Sequence, residues 1–247
     1  MKTKFILALM PGLLLALAAC EDKQDPENNG NNHQNEQETT PSFDGAKGTV
    51  GGHDWVNLGL PSGTLWATCN VGAEKPEEYG DYFAWGETSP KSNYEWGTYK
   101  YGADHDQLTK YCENSEFGKD GFTDSKTILE DSDDAATVNW GDNWRMPTVT
   151  EVRELFHNCT SVWTTQEGVH GRVFVGPNGN QIFLPAAGEC SGGNHLNEEE
   201  YGYYWSSTLT DYGTSFHASG LSFFSNTPAR VDSERCKGFP VRPVVKR

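Results

Sequence analysis

Residues 43–247 predict a single α+β domain of short antiparallel strands with one or two helices and long loops, and three observations carry that prediction. A capping box at Thr148 and Glu151 marks the start of one amphipathic helix. Short apolar runs separated by glycine and proline turns surround that helix, as expected of antiparallel strands. All eight tryptophans lie beyond residue 50, so the domain has large apolar side chains to bury. One capped helix among hairpins packs on an antiparallel sheet, and a chain of this length can close a sizeable core.

Two segments precede the domain. Lys2 and Lys4 lead into an apolar run over residues 5–19, broken only by Pro11 and Gly12. This has the length of a secretory h-region and is short for a bilayer span. It ends Leu17-Ala18-Ala19-Cys20, which resembles a bacterial lipobox, so residues 1–19 read as a lipoprotein signal peptide and Cys20 as the lipidated residue. Buried acyl chains contribute about 0.8 kcal/mol per CH₂, enough for a durable anchor when several chains are attached. Residues 21–42 contain no aromatic or aliphatic side chain. They cannot bury enough surface to offset ordering, and residues 20–42 read as a tether reaching roughly 25 Å. The acidic Glu21, Asp22, Asp25 and Glu27 after Cys20 resemble the export signal of surface-displayed lipoproteins in Bacteroidota, which implies the outer membrane and its exterior face.

The formal net charge is −16, and loss of Lys2 and Lys4 with the signal peptide lowers it by two more. Such a surface repels nucleic acid and anionic lipid headgroups. No basic stripe is present, so nucleic acid is excluded as a partner and contact with the membrane is expected through the lipid alone.

Within the domain, residues 55–60 and 65–69 flank Pro61-Ser62-Gly63-Thr64 as a hairpin, and residues 79–86 read as a further strand. Residues 87–134 are polar and lack periodicity, as a long loop would. From Thr148 onward, Val149, Val152, Leu155 and Phe156 recur on one helical face. Residues 172–175 and 181–184 flank a Gly-Pro-Asn-Gly-Asn turn as a second hairpin. Strands follow over residues 203–208, about 216–224 and 238–245. Five cysteines remain after Cys20: Cys69, Cys112, Cys159, Cys190 and Cys236. The odd count leaves at least one thiol unpaired, and the pairing of the others is open.

Six segments in order look like one family: residues 55–73 (WVNLGLPSGTLWATCNVGA), 79–88 (YGDYFAWGET), 138–148 (VNWGDNWRMPT), 182–188 (IFLPAAG), 203–208 (YYWSST) and 238–244 (GFPVRPV). They resemble lipoproteins of gut Bacteroidota that carry the Fibrobacter succinogenes major paralogous domain. The resemblance implies a C-type-lectin-like fold of the formylglycine-generating-enzyme type, similar also to variable proteins diversified by retroelements. In such folds the last strands and their loops form the ligand face. That face maps onto Tyr204, Thr208, Thr210, Asp211, Tyr212, Thr214, His217, Asn226, Arg230 and Asp232. Residues 208–211 and 226–232 are then loops, with Tyr212, Thr214 and His217 projecting from them. Polar, turn-forming and flat aromatic side chains are the chemistry of adaptable binding surfaces.

Other chemistries have weaker support. An oxidase would need a reactive cysteine pair; Cys190 and Cys236 are the only candidates, and a structural disulfide or packed thiols explain them better. Paired carboxylates among Glu198, Glu199 and Glu200, or Asp131, Asp133 and Asp134, are what 35 acidic residues produce as solvated loops. No cofactor is expected. Calcium is the one ion with a suitable run, Glu130 to Asp134 with Asp142 and Asn143, yet the spacing lacks the EF-hand glycine and terminal glutamate. In the run Tyr201, Tyr203, Tyr204, Trp205, strand alternation sets Tyr203 and Trp205 opposite Tyr204. Trp205 is therefore expected inside, with Tyr204 or Tyr201 exposed. His195 reads as a hydrogen-bonded surface histidine, and Arg145 and Arg242 as salt-bridged scaffold. With no triad, metal motif or cofactor loop, the sequence points to a binding protein for a glycan or a surface protein rather than an enzyme. The other expectation is an accessory subunit of a surface appendage.

Overall fold

The computed structural model describes residues 45–247; the expected signal peptide, lipidated Cys20 and tether lie outside the described residues. The domain opens with β1 (Lys47–Val50) and β2 (His53–Asn57), joined across Gly51 and Gly52, both at positive φ. After the predicted Pro-Ser-Gly turn comes β3 (Leu65–Ala67), then β4 (Tyr82–Phe83). Two helices follow, α1 (Ala135–Trp140) and α2 (Val149–Asn158), with β5 (Trp144–Arg145) between them. A meander of β6 (Thr160–Gln166), β7 (Val169–Val175) and β8 (Gln181–Pro185) leads to a small hairpin, β9 (Glu189–Ser191) and β10 (Asn194–Leu196). The last strands are β11 (Gly202–Leu209), β12 (His217–Phe223), β13 (Ala229–Glu234), β14 (Phe239–Pro240) and β15 (Val244–Val245).

These strands form small antiparallel sheets. The largest has the order β1-β2-β3-β15-β5, and two three-stranded sheets are β6-β7-β8 and β11-β12-β13. Strand accounts for 36% and helix for 12%, which corrects the α+β, C-type-lectin-like expectation: the fold is mostly β. The physical reason is length. α2 has ten residues and α1 six, so the helices touch parts of several small sheets and form no layer of their own.

α2 starts where its capping box places it, with Thr148 and Glu151 each satisfying the other's backbone N–H. It buries Val149, Val152 and Leu155, each contributing on the order of 1.5–3 kcal/mol when fully removed from water. α1 is a second helix at a place the sequence did not mark. Asp134 caps it, accepting from the Ala136 and Thr137 amides at 2.9 and 3.0 Å. At the C-terminus the structure differs again from expectation. Residues 229–234, read as loop up to Asp232, form β13 along β12, and the single strand expected over 238–245 is two short ones.

The apolar side chains gather in three clusters. One is rich in aromatic rings, including Trp85, Tyr111, Trp205 and Phe239. A second packs α2 and the β6-β7-β8 sheet on Tyr204, Leu221 and Phe223. The third fills the space behind β2 and β5 around Trp55 and Trp144. β11 therefore lies between two cores, with Trp205 in one and Tyr204 in the other.

The polar stretch 87–134 is not a solvated loop. Its tyrosines Tyr94, Tyr99, Tyr101 and Tyr111 are all buried. Tyr99 and Tyr111 set their rings beside Arg235, which is wholly buried and donates to the Tyr99 hydroxyl and to the carbonyls of Lys110, Tyr111 and Ser215. The guanidinium also lies 4.9 Å from the Trp85 ring centroid. One arginine thus ties the segment to the strands, offsetting its desolvation with hydrogen bonds and ring faces.

Candidate functional site

Five of the ten residues expected on the ligand face come together. Arg230 on β13 donates to Asp211 at 2.6 Å, to Asp232 at 2.8 Å and to the Thr210 hydroxyl at 3.3 Å. Its guanidinium lies 4.9 Å from the Tyr212 ring centroid. Asp232 also accepts from Ser219 at 2.7 Å, and Asp211 faces Arg153 of α2 at 3.8 Å. The Arg230 bond and charge hold the Asp211 carboxyl below its usual range, and the two aspartates raise the Arg230 guanidinium. The network draws residues 210–213 onto β13 and presents Tyr212, which is 73% exposed.

The remaining five are elsewhere. Tyr204 is buried, its hydroxyl donating to the Pro185 carbonyl at 2.7 Å, which corrects its expected exposure. The alternation argument was sound, but both faces of β11 are covered. Thr208 lies within β11 rather than in a loop, and its hydroxyl accepts the Val149 amide at the start of α2. Arg230 and Asp232 likewise stand on a strand. Thr214 and His217 form their own pair at 3.1 Å, and burial lowers the imidazole's basicity. Asn226 belongs to the opposite loop, where its carbonyl accepts from Arg172.

Other sequence candidates find structural partners. Arg145 pairs with Glu151 at 2.6 Å as expected. Arg242 departs from the salt-bridge expectation: it donates to Asn70 and to the Ala67 and Thr68 carbonyls, with no carboxylate against it among the described residues. His195 meets Glu198 at 2.9 Å on the exposed β9–β10 hairpin. In the acidic run, Asp131 faces Lys246, Asp133 faces Lys100, Lys110 and two tyrosines, and Asp134 caps α1. Their carboxylates are directed to different protein partners. Cys190 and Cys236 are free, and burial pushes both thiols up to about 12, the opposite of what a nucleophile needs.

Two concavities lie away from this network. The larger, about 810 Å³, borders the first sheet, where His53 stacks on Trp140 with ring centroids 3.7 Å apart. The smaller, about 330 Å³, opens between the β6–β7 hairpin and the ends of β11 and β12. Trp163, Tyr201 and Phe224 give it aromatic walls. No signal local to one stretch of sequence marks this cleft, because its rings come from three separate segments.

No protein-family model matches the chain, and neither a curated protein nor a solved structure matches it. Among the described residues no helix is long and apolar enough to cross a membrane.

Proposed function

We propose that the chain is a binding protein of the bacterial cell surface, lipid-anchored through Cys20, that engages a glycan or protein ligand through the loops of its C-terminal sheet. It is proposed as a relative of the lipoproteins with the Fibrobacter succinogenes major paralogous domain, on the motifs of residues 55–73 and 238–244. The observation that carries the reading is Tyr212: a large ring, 73% exposed, fixed in place by a guanidinium beneath it. Exposed aromatic side chains held by a charged network are what binding surfaces use, since little entropy is lost when they are covered.

The test is an array of glycans and surface proteins probed with the full chain. A Tyr212→Ala, His217→Ala variant is expected to keep its fold and lose most affinity for the ligand identified. Unchanged binding, with loss on substitution near Trp96 or Glu130 instead, would move the site to the 87–134 segment.

A second reading, an accessory subunit of a surface assembly, is supported by β6. It pairs with β7 alone among the described residues, and Val162 on it is 61% exposed. An uncovered edge of this kind accepts a strand from another chain.

A further inference from the structure

The geometry points to a second binding site, independent of the Tyr212 face: the cleft of Trp163, Tyr201 and Phe224 receives a neutral pyranose ring of a glycan. Three lines of observation converge on it.

The first is shape and surface. The cleft measures about 330 Å³, at the small end of ligand pockets, and Glu199, Glu200, His170 and Ser225 complete its described lining. Tyr201 lies 5.3 Å from Phe224, centroid to centroid, at 34°, and Trp163 lies 6.1 Å from His170 at 32°. Inclined ring pairs on two sides present flat apolar faces, and the C–H face of a sugar ring is the complementary surface. Phe224 is 37% exposed, though a phenyl ring gains from cover.

The second is the hydrogen-bonding inventory. Glu199 is already engaged, accepting from the Tyr79 hydroxyl at 2.5 Å and from the His170 amide at 2.9 Å. Among the described residues, the Glu200 carboxylate, the Ser225 and Tyr201 hydroxyls and the Trp163 indole N–H make no hydrogen bond. This leaves acceptors and donors together on the rim of an aromatic cleft, the mixture that reads sugar hydroxyls, each of which both gives and takes.

The third is charge. Arg172 stands directly across the strand pair from Trp163 and is buried. It donates to Ser161 at 2.9 Å, to the Phe224 carbonyl at 2.8 Å and to the Asn226 carbonyl, so it holds the loop that carries Phe224. Arg172 is not part of the cleft's lining, and a basic side chain entering it would find Glu200 as the single carboxylate not already bonded. A uronate or sulfated sugar would meet Glu199, Glu200 and a net charge of −16. A neutral ring uses the aromatic walls and the unbonded polar rim without needing a charged partner.

Ligand-observed saturation-transfer NMR on the full chain tests this, with methyl glucoside, galactoside and mannoside and their disaccharides as probes. Nα-acetyl-lysine methylamide and methyl glucuronide are the cationic and anionic controls. At least one neutral sugar is expected to receive saturation on its ring C–H protons. Tyr201→Ala and Phe224→Ala should each weaken its affinity about tenfold, while Val138→Ala, at an exposed position of α1 outside both faces, leaves it unchanged. Thermal midpoints report whether each variant folds. Should an aromatic variant unfold, Glu200→Gln replaces it, since that exposed side chain holds nothing in place; it is expected to weaken the same sugar several-fold. The proposal is overturned by transfer to none of the neutral sugars, by transfer to the lysine derivative alone, or by undiminished affinity in folded cleft variants. Loss through Tyr212→Ala with the cleft variants silent would also overturn it, and would leave the Tyr212 face as the sugar site.

Discussion

Asp133 shows how far single residues depend on partners remote in sequence. Burial works against its charge, yet Lys110 at 2.5 Å, the hydroxyls of Tyr101 and Tyr111, and Lys100 bring its carboxyl down to about 2. A carboxyl depressed in the folded state stabilises the fold above its unfolded pKa, near 4, and that contribution vanishes as pH falls toward 2. Denaturation midpoints should therefore drop between pH 4 and pH 2 in the parent. Asp133→Asn should be less stable at pH 6 and show a flatter acid limb; an equally steep limb would assign the acid loss to other carboxylates. Arg235 makes the same point. Replacing it with Met leaves two carbonyls of the 87–134 segment and one of Ser215 without their donor, and is expected to cost about 3–5 kcal/mol in urea unfolding. A loss below about 1 kcal/mol would mean that the tyrosines hold the segment by themselves. Neither residue stood out in the sequence, where Asp133 was one acid in a run and Arg235 one cation in a polar stretch. Arg145 was legible because its partner, Glu151, is six residues away, whereas the bonds of Arg235 to Tyr99, Lys110 and Tyr111 cross more than half of the domain.

At the scale of elements, legibility followed how local the determinants are. The α2 start needs only Thr148, Glu151 and the apolar spacing after them, and it falls where that pattern puts it. Thr148→Ala should cost about 1 kcal/mol in denaturation, with the slope unchanged; an unmoved midpoint would show that Glu151, held by Arg145, suffices to start the helix. The hairpin of β7 and β8 was equally legible, since Gly179 adopts φ 84° in the turn that joins them. α1 escaped notice because six residues are too few to display a period. β13 escaped because Ala-Arg-Val-Asp-Ser-Glu has the composition of a loop, and only its pairing with β12 makes it a strand. Of the ten residues expected on one face, Asp211, Tyr212 and Arg230 do lie together, while Tyr204 is buried elsewhere. Strand alternation tells which residues share a face, but not whether another sheet covers that face.

For the whole molecule, the thiols give a direct expectation. All five cysteines among the described residues are free. Reductant should leave the thermal midpoint within about a degree of its oxidised value, because no cross-link limits the unfolded chain. A fall of several degrees would reveal a pairing between thiols. Stability rests instead on three apolar clusters and on buried guanidinium groups that carry distant loops. The way the largest sheet closes has a further consequence. β2 and β3 belong to the first strands of the domain, yet β3 completes its pairing with β15, where Trp66 lies opposite Val244. Among the described residues, β3 and β5 are therefore joined only through residues 244–245, which lie between Trp66 on one side and Trp144 on the other. Loss of that one short strand, by Val244→Pro for instance, would part the β1-β2-β3 strands from β5 while leaving their own pairing intact.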